Sequence, residues 1–273
     1  MTRKVKFNII FIGKIIFGGD VMQVYKKQIW SKFIKAVKEF EMIKNGDRIA
    51  IGVSGGKDSL LLLTLFKELK KDRSFNFEIE PITLNPGFKE SDLADLKKNL
   101  DIIDIKYDIY DTDIWEAAFK MSEGGSPCFM CAKMRRGILY RRAEELNCNK
   151  LALGHHFDDV IETTMINMFY AGTLKTMLPK VKSTSGNFDL IRPLVYIKEK
   201  DIISYVNNSG LKPMRCGCPI EEGKVDSKRK EIKNMLEELE KTNPLIKKSI
   251  FNSMRNINTD YVMGCVSGNK NRD

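Results

Sequence analysis

Residues 48–63 read RIAIGVSGGKDSLLLL, and this stretch decides the fold. The alternation of Ile and Val up to Val53 predicts a buried strand, the Ser-Gly-Gly that follows predicts a tight turn, and the run of leucines predicts a helix. Glycines in such a turn let the backbone approach an anion closely, and the first amides of the helix point toward it. The stretch therefore predicts a phosphate site at a strand-to-helix junction, where Lys57 adds positive charge.

This loop differs from the common nucleotide-binding pattern G-x-x-x-x-G-K-[ST]. That pattern would need a glycine at position 51 and a hydroxyl at position 58, where the chain has Ile51 and Asp58. The loop instead resembles the S-G-G-x-D-S loop of the ATP pyrophosphatase, or PP-loop, superfamily. The resemblance implies that ATP is cleaved between its α and β phosphates and that a substrate oxygen is adenylated. The residues implied to bind ATP here are Ser54, Gly55, Gly56, Lys57, Asp58 and Ser59. A glycine-rich turn without a ligand is the alternative.

Composition sets broad bounds on the protein. A chain of 273 residues that is 42% hydrophobic can bury the core of one large α/β domain, with or without a small appendage. The net charge of +10 suits a polyanionic partner but is weak evidence alone. Six cysteines in a chain of this kind indicate metal or redox chemistry rather than a disulfide framework.

The N-terminus superficially imitates a signal peptide. Its apolar stretch over 7–17 is interrupted by Lys14 and is too short to span a bilayer, so we expect no membrane association. We expect residues 1–21 to be an extension and Met22 to be the natural first residue. The remaining organisation that we predict is a PP-loop domain with the cysteine-rich site over 22–220, a C-terminal helical segment over 221–263 and a disordered tail over 264–273.

The order of strand, loop and helix along the chain predicts a doubly wound parallel α/β sheet with an N-terminal amphipathic helix and C-terminal helices. The predicted strands are 48–53, 77–84, 105–109, 151–154 and 191–194. In such sheets ligands collect beyond the carboxyl ends of the strands. We therefore expect the PP-loop, the turn after Leu84 and residues 154–159 to surround one crevice.

The only two histidines are adjacent, and acids follow them closely. Asp58 or Asp159 can hold a Mg²⁺ ion that bridges phosphate oxygens, because Mg²⁺ takes one or two carboxylates together with substrate phosphates. A neutral histidine can orient the nucleotide or assist proton transfer. The candidate ATP-binding residues in this segment are Gly154, His155 and Asp159. The alternative is a buried, hydrogen-bonded histidine pair with Asp158 as a helix N-cap.

Two cysteine sets indicate a metal or sulfur site. Cys128 and Cys131 have C-x-x-C spacing on a predicted loop, and Cys216 and Cys218 follow some 85 residues later. A four-thiolate zinc site, a persulfide-forming redox pair and an iron–sulfur cluster with three cysteine ligands are all compatible with this pattern.

A basic helix is predicted directly after the C-x-x-C motif, over 132–146. Arg135 and Arg136 are placed there to bind the phosphates of an unstacked RNA loop, because RNA is recognised mostly in single-stranded regions. A solvated basic helix face is the alternative.

A narrower resemblance covers residues 30–220, in which some seven motifs occur in the order found in the TtcA family of tRNA 2-thiocytidine synthetases. These motifs are Phe40-Glu41-Met42-Ile43-x-x-Gly46-Asp47-Arg48, the PP-loop, Pro86-Gly87-Phe88, Cys128-x-x-Cys131 with Arg135-Arg136-Gly137-Ile138-Leu139-Tyr140, Leu153-Gly154-His155-His156-x-Asp158-Asp159, Asn167-Met168-Phe169-Tyr170 and Ile191-Arg192-Pro193-Leu194. The resemblance implies a cytoplasmic enzyme, dependent on ATP and Mg²⁺, that replaces the C2 oxygen of cytidine 32 in the tRNA anticodon loop by sulfur.

The family also implies a [4Fe–4S] cluster held by three cysteines. These map onto Cys128, Cys131 and, by position, Cys216. The family pattern near the third ligand is P-C-x-x-C, whereas this chain has Arg215-Cys216-Gly217-Cys218-Pro219, so Cys218 is an alternative ligand.

The implied mechanism assigns a role to each half of the site. Lys57 and Asp58 act in adenylation, which turns the C2 oxygen into a good leaving group, and the cluster delivers the sulfur. The implied partners are a sulfur donor of the cysteine desulfurase system and an electron donor, and a homodimer is one candidate assembly. A desulfurase that acts on a thiolated base without ATP and a non-catalytic zinc RNA-binding module are the alternative functions.

Overall fold

The computed structural model describes residues 19–121, 127–214 and 227–264. Within these ranges the strands are β1 Asp47–Gly52, β2 Phe77–Asn85, β3 Asp108–Asp111, β4 Lys150–Ala152, β5 Lys180–Lys182 and β6 Asp189–Ile191. The α-helices are α1 Gly19–Glu39, α2 Lys57–Leu69, α3 Glu90–Ile103, α4 Ile114–Met121, α5 Pro127–Glu145, α6 Phe157–Tyr170, α7 Glu199–Asn207, α8 Ser227–Thr242 and α9 Ile246–Ser253, and a short 3₁₀ helix spans Thr259–Tyr261.

The strands form one six-stranded sheet in the order β3-β2-β1-β4-β6-β5. All neighbouring pairs are parallel except β5 with β6, which is antiparallel. The predicted doubly wound sheet is therefore confirmed, with an antiparallel edge strand added. The strand order changes direction between β1 and β4, and in open α/β sheets a ligand crevice opens at this point beyond the carboxyl ends of the strands.

The central strand β1 is buried on both faces over residues 49–51, as the apolar part of its sequence predicts. Ile49 and Ile51 face the larger core, which also contains Phe33 of α1 and Phe66 of α2. Ala50, between them, faces a smaller cluster on the opposite side, because successive strand residues point to opposite faces. Helix α5 covers this second side of the sheet and contacts β2 and β4.

The C-terminal helices share the larger core with the sheet. Ile232 and Leu236 of α8 and Phe251 of α9 are buried in it, and the Phe251 ring lies 4.9 Å from the Phe157 ring of α6. The described part of the predicted C-terminal segment is thus packed against the PP-loop part. The predictions for residues 1–21 and for the tail fall almost entirely outside the described residues, although α1 begins at Gly19. Among the helices of the described ranges, none has both the length and the apolar character that a bilayer span requires.

Several elements differ from their predicted form. The strand predicted over 105–109 is found at Asp108–Asp111, and the strand predicted over 151–154 is found at Lys150–Ala152. The predicted strand over 191–194 ends at Ile191, because Pro193 has no amide to donate to a ladder. The C-x-x-C motif, predicted on a loop, lies inside α5, which begins at Pro127, and proline is favoured in the first turn of a helix. The edge strand β5 was not predicted, since Lys180-Val181-Lys182 is short and carries the charges that protect sheet edges.

Candidate active site

The PP-loop joins β1 to α2 and is held together by its own hydroxyl groups. The Ser54 amide donates to Ser59 Oγ at 3.2 Å, and Ser59 Oγ donates to the Gly56 carbonyl at 3.0 Å. Gly55 has φ +79°, a conformation that favours glycine. Because Gly56 precedes α2 and has no side chain, the first amides of the helix are left for an anion.

Gly154 brings the end of β4 against the first turn of α2. A Cβ atom at this position would lie 3.1 Å from the backbone carbon of Asp58 and 3.1 Å from the backbone nitrogen of Ser59. Real Cβ contacts with backbone atoms are rarely this close, so the packing requires glycine. The PP-loop and the histidine segment are therefore held side by side by backbone contact.

Lys57, the first residue of α2, lies between two carboxylates. Its Nζ atom is 3.1 Å from Asp58 Oδ2 and 3.1 Å from Glu199 Oε1. Burial lowers the pKa of Lys57, but the two carboxylates outweigh burial and the pKa lies above its usual value. Burial would raise the pKa of Glu199, whereas its ion pairs with Lys233 and Lys57 bring that pKa down to about 2. Both groups are charged at neutral pH.

Asp58 and Asp159 approach the same nitrogen of His156. Asp58 Oδ1 lies 3.7 Å from His156 Nε2, and Asp159 Oδ2 lies 3.5 Å from it. Burial raises the pKa of Asp58 above its usual value, and His156 and Lys57 oppose part of this effect. The Asp58 Oδ1 atom is buried and accepts no hydrogen bond from the described residues. An unsatisfied carboxylate oxygen beside a phosphate loop fits a Mg²⁺ ion that also takes phosphate oxygens.

The two histidines have different roles in the fold. His156 precedes α6, and its amide donates to Asp159 Oδ2 at 2.9 Å, so this pair caps the helix. The prediction of Asp158 as the N-cap is wrong, because its carboxylate instead accepts the Glu199 amide at 2.8 Å. His155 lines the crevice, and burial lowers its pKa to about 4, so its imidazole is neutral at pH 7.

A cavity of about 380 Å³ lies between the PP-loop and α5. This volume is within the range of small-molecule sites, roughly 300–1,000 Å³. Its apolar wall includes Ile82, Leu84 and Leu153. The predicted site residues that line it are Ser54, Asp58, Ser59, Gly154, His155, Asp159, Arg135 and Arg136. Gly55, Gly56 and Lys57 adjoin it as the rest of the loop and the first helical residue, so the structure brings the predicted nucleotide and RNA residues together.

The turn after β2 contributes an aromatic side chain that the sequence did not single out for the site. The Asn85 side chain accepts the Phe88 amide at 2.7 Å and thereby fixes the turn. Phe88 lines the cavity, and the Arg135 guanidinium lies 5.9 Å from the centre of its ring. The signals were the chain break at 85–87 and the Pro86-Gly87-Phe88 motif, which placed the turn at the crevice but assigned no binding role to Phe88.

The cysteines are only partly described. Cys131 is buried beside Ile114 and Ala118, one helical turn before Arg135. Cys128 lies in the first turn of α5, but its side chain is outside the described part, and Cys216 and Cys218 also fall outside it. Within the described ranges, no three His, Cys, Asp or Glu side chains form a metal-binding group.

The chain that leads to the second cysteine set is attached to the PP-loop. The Met214 amide donates to the Gly55 carbonyl at 2.9 Å, and a Cβ atom at Gly55 would collide with the Met214 sulfur. Cys216 follows Met214 by two residues in the sequence. This attachment, together with buried Cys131 on a wall helix of the cavity, fits a group that is held by both cysteine segments.

Glu199 and Lys233 are the residues of the site that the sequence analysis missed. Neither residue belongs to a motif named in the sequence analysis, and Lys233 lies in the predicted C-terminal helical segment. Neither has a local motif, because their contacts with each other and with Lys57 join parts of the chain that are far apart in sequence.

Comparisons with known proteins agree with this geometry. Residues 25–214 match the ATP_bind_3 family model, described as a PP-loop domain. The tRNA-cytidine(32) 2-sulfurtransferase of Geobacter sulfurreducens is 37% identical over 241 residues, which cover 87% of this chain and 92% of that protein. The protein of the same name from Pelobacter propionicus is 39% identical over 233 residues, covering 84% and 85% of the two chains.

A solved structure is also similar over most of the chain. It is the U34-tRNA thiolase NcsA from Methanococcus maripaludis with its [4Fe-4S] cluster. The TM-score is 0.69 at 27% identity, and the similarity covers 86% of this chain and 78% of that chain.

Replacement of Gly154 by alanine should damage the nucleotide site. The added Cβ would press on the backbone of Asp58 and Ser59, so we expect Gly154→Ala to lose about 1–3 kcal/mol of stability and to bind ATP roughly tenfold more weakly. Urea unfolding and calorimetry measure the two effects. Gly137→Ala is the matched control, because a Cβ at this helical position meets nothing within 4 Å. Equal ATP affinities for the two variants would contradict the packing argument.

Stability should depend on pH through His155. Its pKa is about 4 in the folded protein and near 6.5 when unfolded, so the unfolded state takes up the proton first as the pH falls. The His155 contribution is present above pH 6.5 and is lost as the pH falls toward 4. We expect His155→Gln to reduce the acid-side loss of unfolding free energy by up to about 1.4 kcal/mol per pH unit. Urea unfolding of both proteins at several pH values between 4.5 and 7 measures this, and parallel curves would refute it.

Proposed function

This chain belongs to the tRNA-cytidine(32) 2-sulfurtransferase family of PP-loop proteins, and from that premise we propose that it thiolates tRNA. It uses ATP to activate the C2 oxygen of cytidine 32 and replaces this oxygen by sulfur. One observation carries the proposal. The helix with the C-x-x-C motif, α5, forms a wall of the same cavity that the PP-loop forms on its other side.

Binding of ATP is assigned to the PP-loop and the segment beside it. The amides at the start of α2 receive phosphate oxygens, and Lys57 adds a positive charge. Asp58 and Asp159 would hold Mg²⁺, since both carboxylates line the cavity near His156 and one Asp58 oxygen is unsatisfied. Neutral His155 lines the nucleotide cavity without adding charge.

Activation of the base follows from this arrangement. The C2 oxygen of cytosine attacks the α-phosphorus of ATP, its bond to phosphorus forms, and the bond to pyrophosphate breaks. The loop amides and Lys57 stabilise the negative charge of the departing pyrophosphate, because fixed donors in a partly dry site need little reorganisation. The product carries AMP on the former C2 oxygen, which then leaves readily when sulfur attacks C2.

The cysteines would hold the [4Fe–4S] cluster. Cys131 lies buried on α5, Cys128 belongs to the same helix, and Met214 ties the segment before Cys216 and Cys218 to the PP-loop. When bound, the cluster supplies a fixed position for the incoming sulfur next to the activated base. The apolar neighbours of Cys131 keep water away from this part of the site.

Recognition of the tRNA is assigned to the basic face of α5. Arg135 and Arg136 line the cavity and would bind phosphates of the anticodon loop. The proposal includes a sulfur donor of the cysteine desulfurase class, an electron donor and a location in the cytoplasm. A homodimer is the assembly to test.

The function is tested on tRNA and on the purified protein together. We expect tRNA from a strain that lacks the gene to contain no 2-thiocytidine. Anaerobically purified protein should carry about four irons and restore the nucleoside only when ATP is added. Nucleoside analysis by mass spectrometry and metal analysis measure these results. Unchanged 2-thiocytidine in the deletion strain would reject the substrate, one zinc without iron would favour an RNA-binding module, and ATP-independent turnover would favour a desulfurase.

Two substitutions should separate the two halves of the site. Asp58→Ala should abolish adenylation and keep the iron, whereas Cys131→Ala should lose the iron and keep ATP binding. The matched control is Cys148→Ala, because Cys148 is equally buried and burial raises the pKa of its thiol to about 11, which disfavours a thiolate ligand. Iron content and ATP affinity are measured for each variant. Loss of iron in Cys148→Ala, or equal loss of both properties in either site variant, would contradict this division.

A further inference from the structure

The carboxylate of Glu199 joins the PP-loop to the C-terminal helix α8. Its Oε1 atom lies 3.1 Å from Lys57 Nζ, and its Oε2 atom lies 2.8 Å from Lys233 Nζ. Each oxygen therefore has one ammonium partner, and the three side chains form an alternating chain of charges. Glu199 is the first residue of α7, where a negative charge also interacts favourably with the helix dipole.

The backbone at Glu199 is fixed as well. Its amide donates to Asp158 Oδ2 at 2.8 Å, so the start of α7 is tied to the first turn of α6. Asp158 in turn pairs with Lys247 of α9 at 3.4 Å. The backbone of Glu199 is thus held by Asp158 of α6, and its carboxylate is held by Lys233 of α8.

The two carboxylate contacts of Lys57 are compatible with bound ATP. A lysine ammonium has three hydrogens to donate. Asp58 and Glu199 account for two of them at 3.1 Å each, and among the described residues Lys57 has no third carboxylate partner. Within the described ranges these contacts leave one ammonium hydrogen available for a phosphate oxygen.

Cations of α8 pair with the acids around the loop. A site for a polyphosphate that contains Asp58, Asp159 and Glu199 would repel its ligand if these carboxylates were not balanced. Arg229 of α8 lies 3.6 Å from Asp159, and Lys233 lies 2.8 Å from Glu199. Both cations lie beyond residue 214, where the match to the PP-loop domain ends. The C-terminal helix therefore supplies charges that the matched domain does not contain.

We propose that Glu199 and Lys233 are positioning residues for adenylation, in which Glu199 holds the Lys57 ammonium beside the phosphate loop and Lys233 holds Glu199. The proposal rests on the ATP-dependent step of the proposed function. Helix α8 then contributes to nucleotide binding as well as to packing. Neither residue touches the reacting atoms, and both act through Lys57.

The proposal is tested by ATP binding to the purified full chain, which does not depend on which base is modified. We expect Glu199→Gln to weaken ATP binding roughly tenfold and Lys233→Met to weaken it about threefold, because both ion pairs are partly exposed and partly screened. The loss should appear in the KM for ATP more than in kcat, since Lys57 contacts phosphate before and during the reaction. Iron content should not change in either variant.

Two comparisons distinguish positioning from a merely structural role. Lys233→Arg should restore most of the ATP affinity, because the charge toward Glu199 returns. The control Lys241→Met removes a lysine of the same helix that pairs with exposed Glu238, at 2.6 Å, and should leave ATP affinity unchanged. The double variant of Glu199 and Lys233 should lose little more affinity than Glu199→Gln alone, since the two residues act in one chain.

The outcomes that would overturn the proposal are specific. Equal ATP affinity in Lys233→Met and Lys241→Met, or fully additive losses in the double variant, would show that α8 does not act through Glu199. If Glu199→Gln fails to fold, the comparison of Lys233→Met with Lys233→Arg still decides the question. If the variants show the expected ATP effects but the protein forms no 2-thiocytidine, the proposed substrate is refuted. The positioning role of Glu199 and Lys233 then still stands.

Discussion

The backbone contact between Gly154 and the first turn of α2 is the constraint on which the site depends. It places the end of β4 directly against the PP-loop, with no side chain between them. As a result Asp58 of the loop and Asp159 of the next helix can approach the same imidazole nitrogen of His156. The parallel order of β1 and β4 brings the two segments to the same edge of the sheet, but only glycine allows this distance.

A second constraint is the balance of charge around a loop that is to hold phosphate. The acids that could bind a metal ion would also repel ATP, and the loop itself contributes only Lys57 as a cationic side chain. Helices α8 and α9 pack against α6, and their cations pair with the acids. Arg229 pairs with Asp159, Lys233 with Glu199 and Lys247 with Asp158. Hydrophobic burial of Ile232 and Leu236 on α8 and of Phe251 on α9 positions these cations, so the core and the electrostatics of the site are coupled.

The parts of the fold that could be predicted are those with local signals. Residues 48–63 specify strand, turn and helix through periodicity and glycine, and the alternation of elements implies a parallel sheet. Local sequence signals are missing where contacts between distant parts of the chain decide the structure. Strand β5 pairs only because β6 lies beside it. His156 rather than Asp158 caps α6, because the Asp158 carboxylate is engaged by the Glu199 amide of a distant helix. Glu199 and Lys233 could not be recognised, since their roles arise from contacts across the fold.

Because the C-x-x-C motif lies inside α5, its position relative to the PP-loop is fixed by the helix. On a loop, the cysteines could have moved independently of Arg135 and Arg136. On one helix, Cys131 and Arg135 are separated by a single turn, and Leu139 of the same helix packs against Gly52 at the end of β1. The position of the cysteine relative to the PP-loop is therefore set by helix geometry and sheet packing. A rigid connection of this kind is what sulfur transfer to a base activated in the same cavity requires, because the attacking and activated atoms must be held close together.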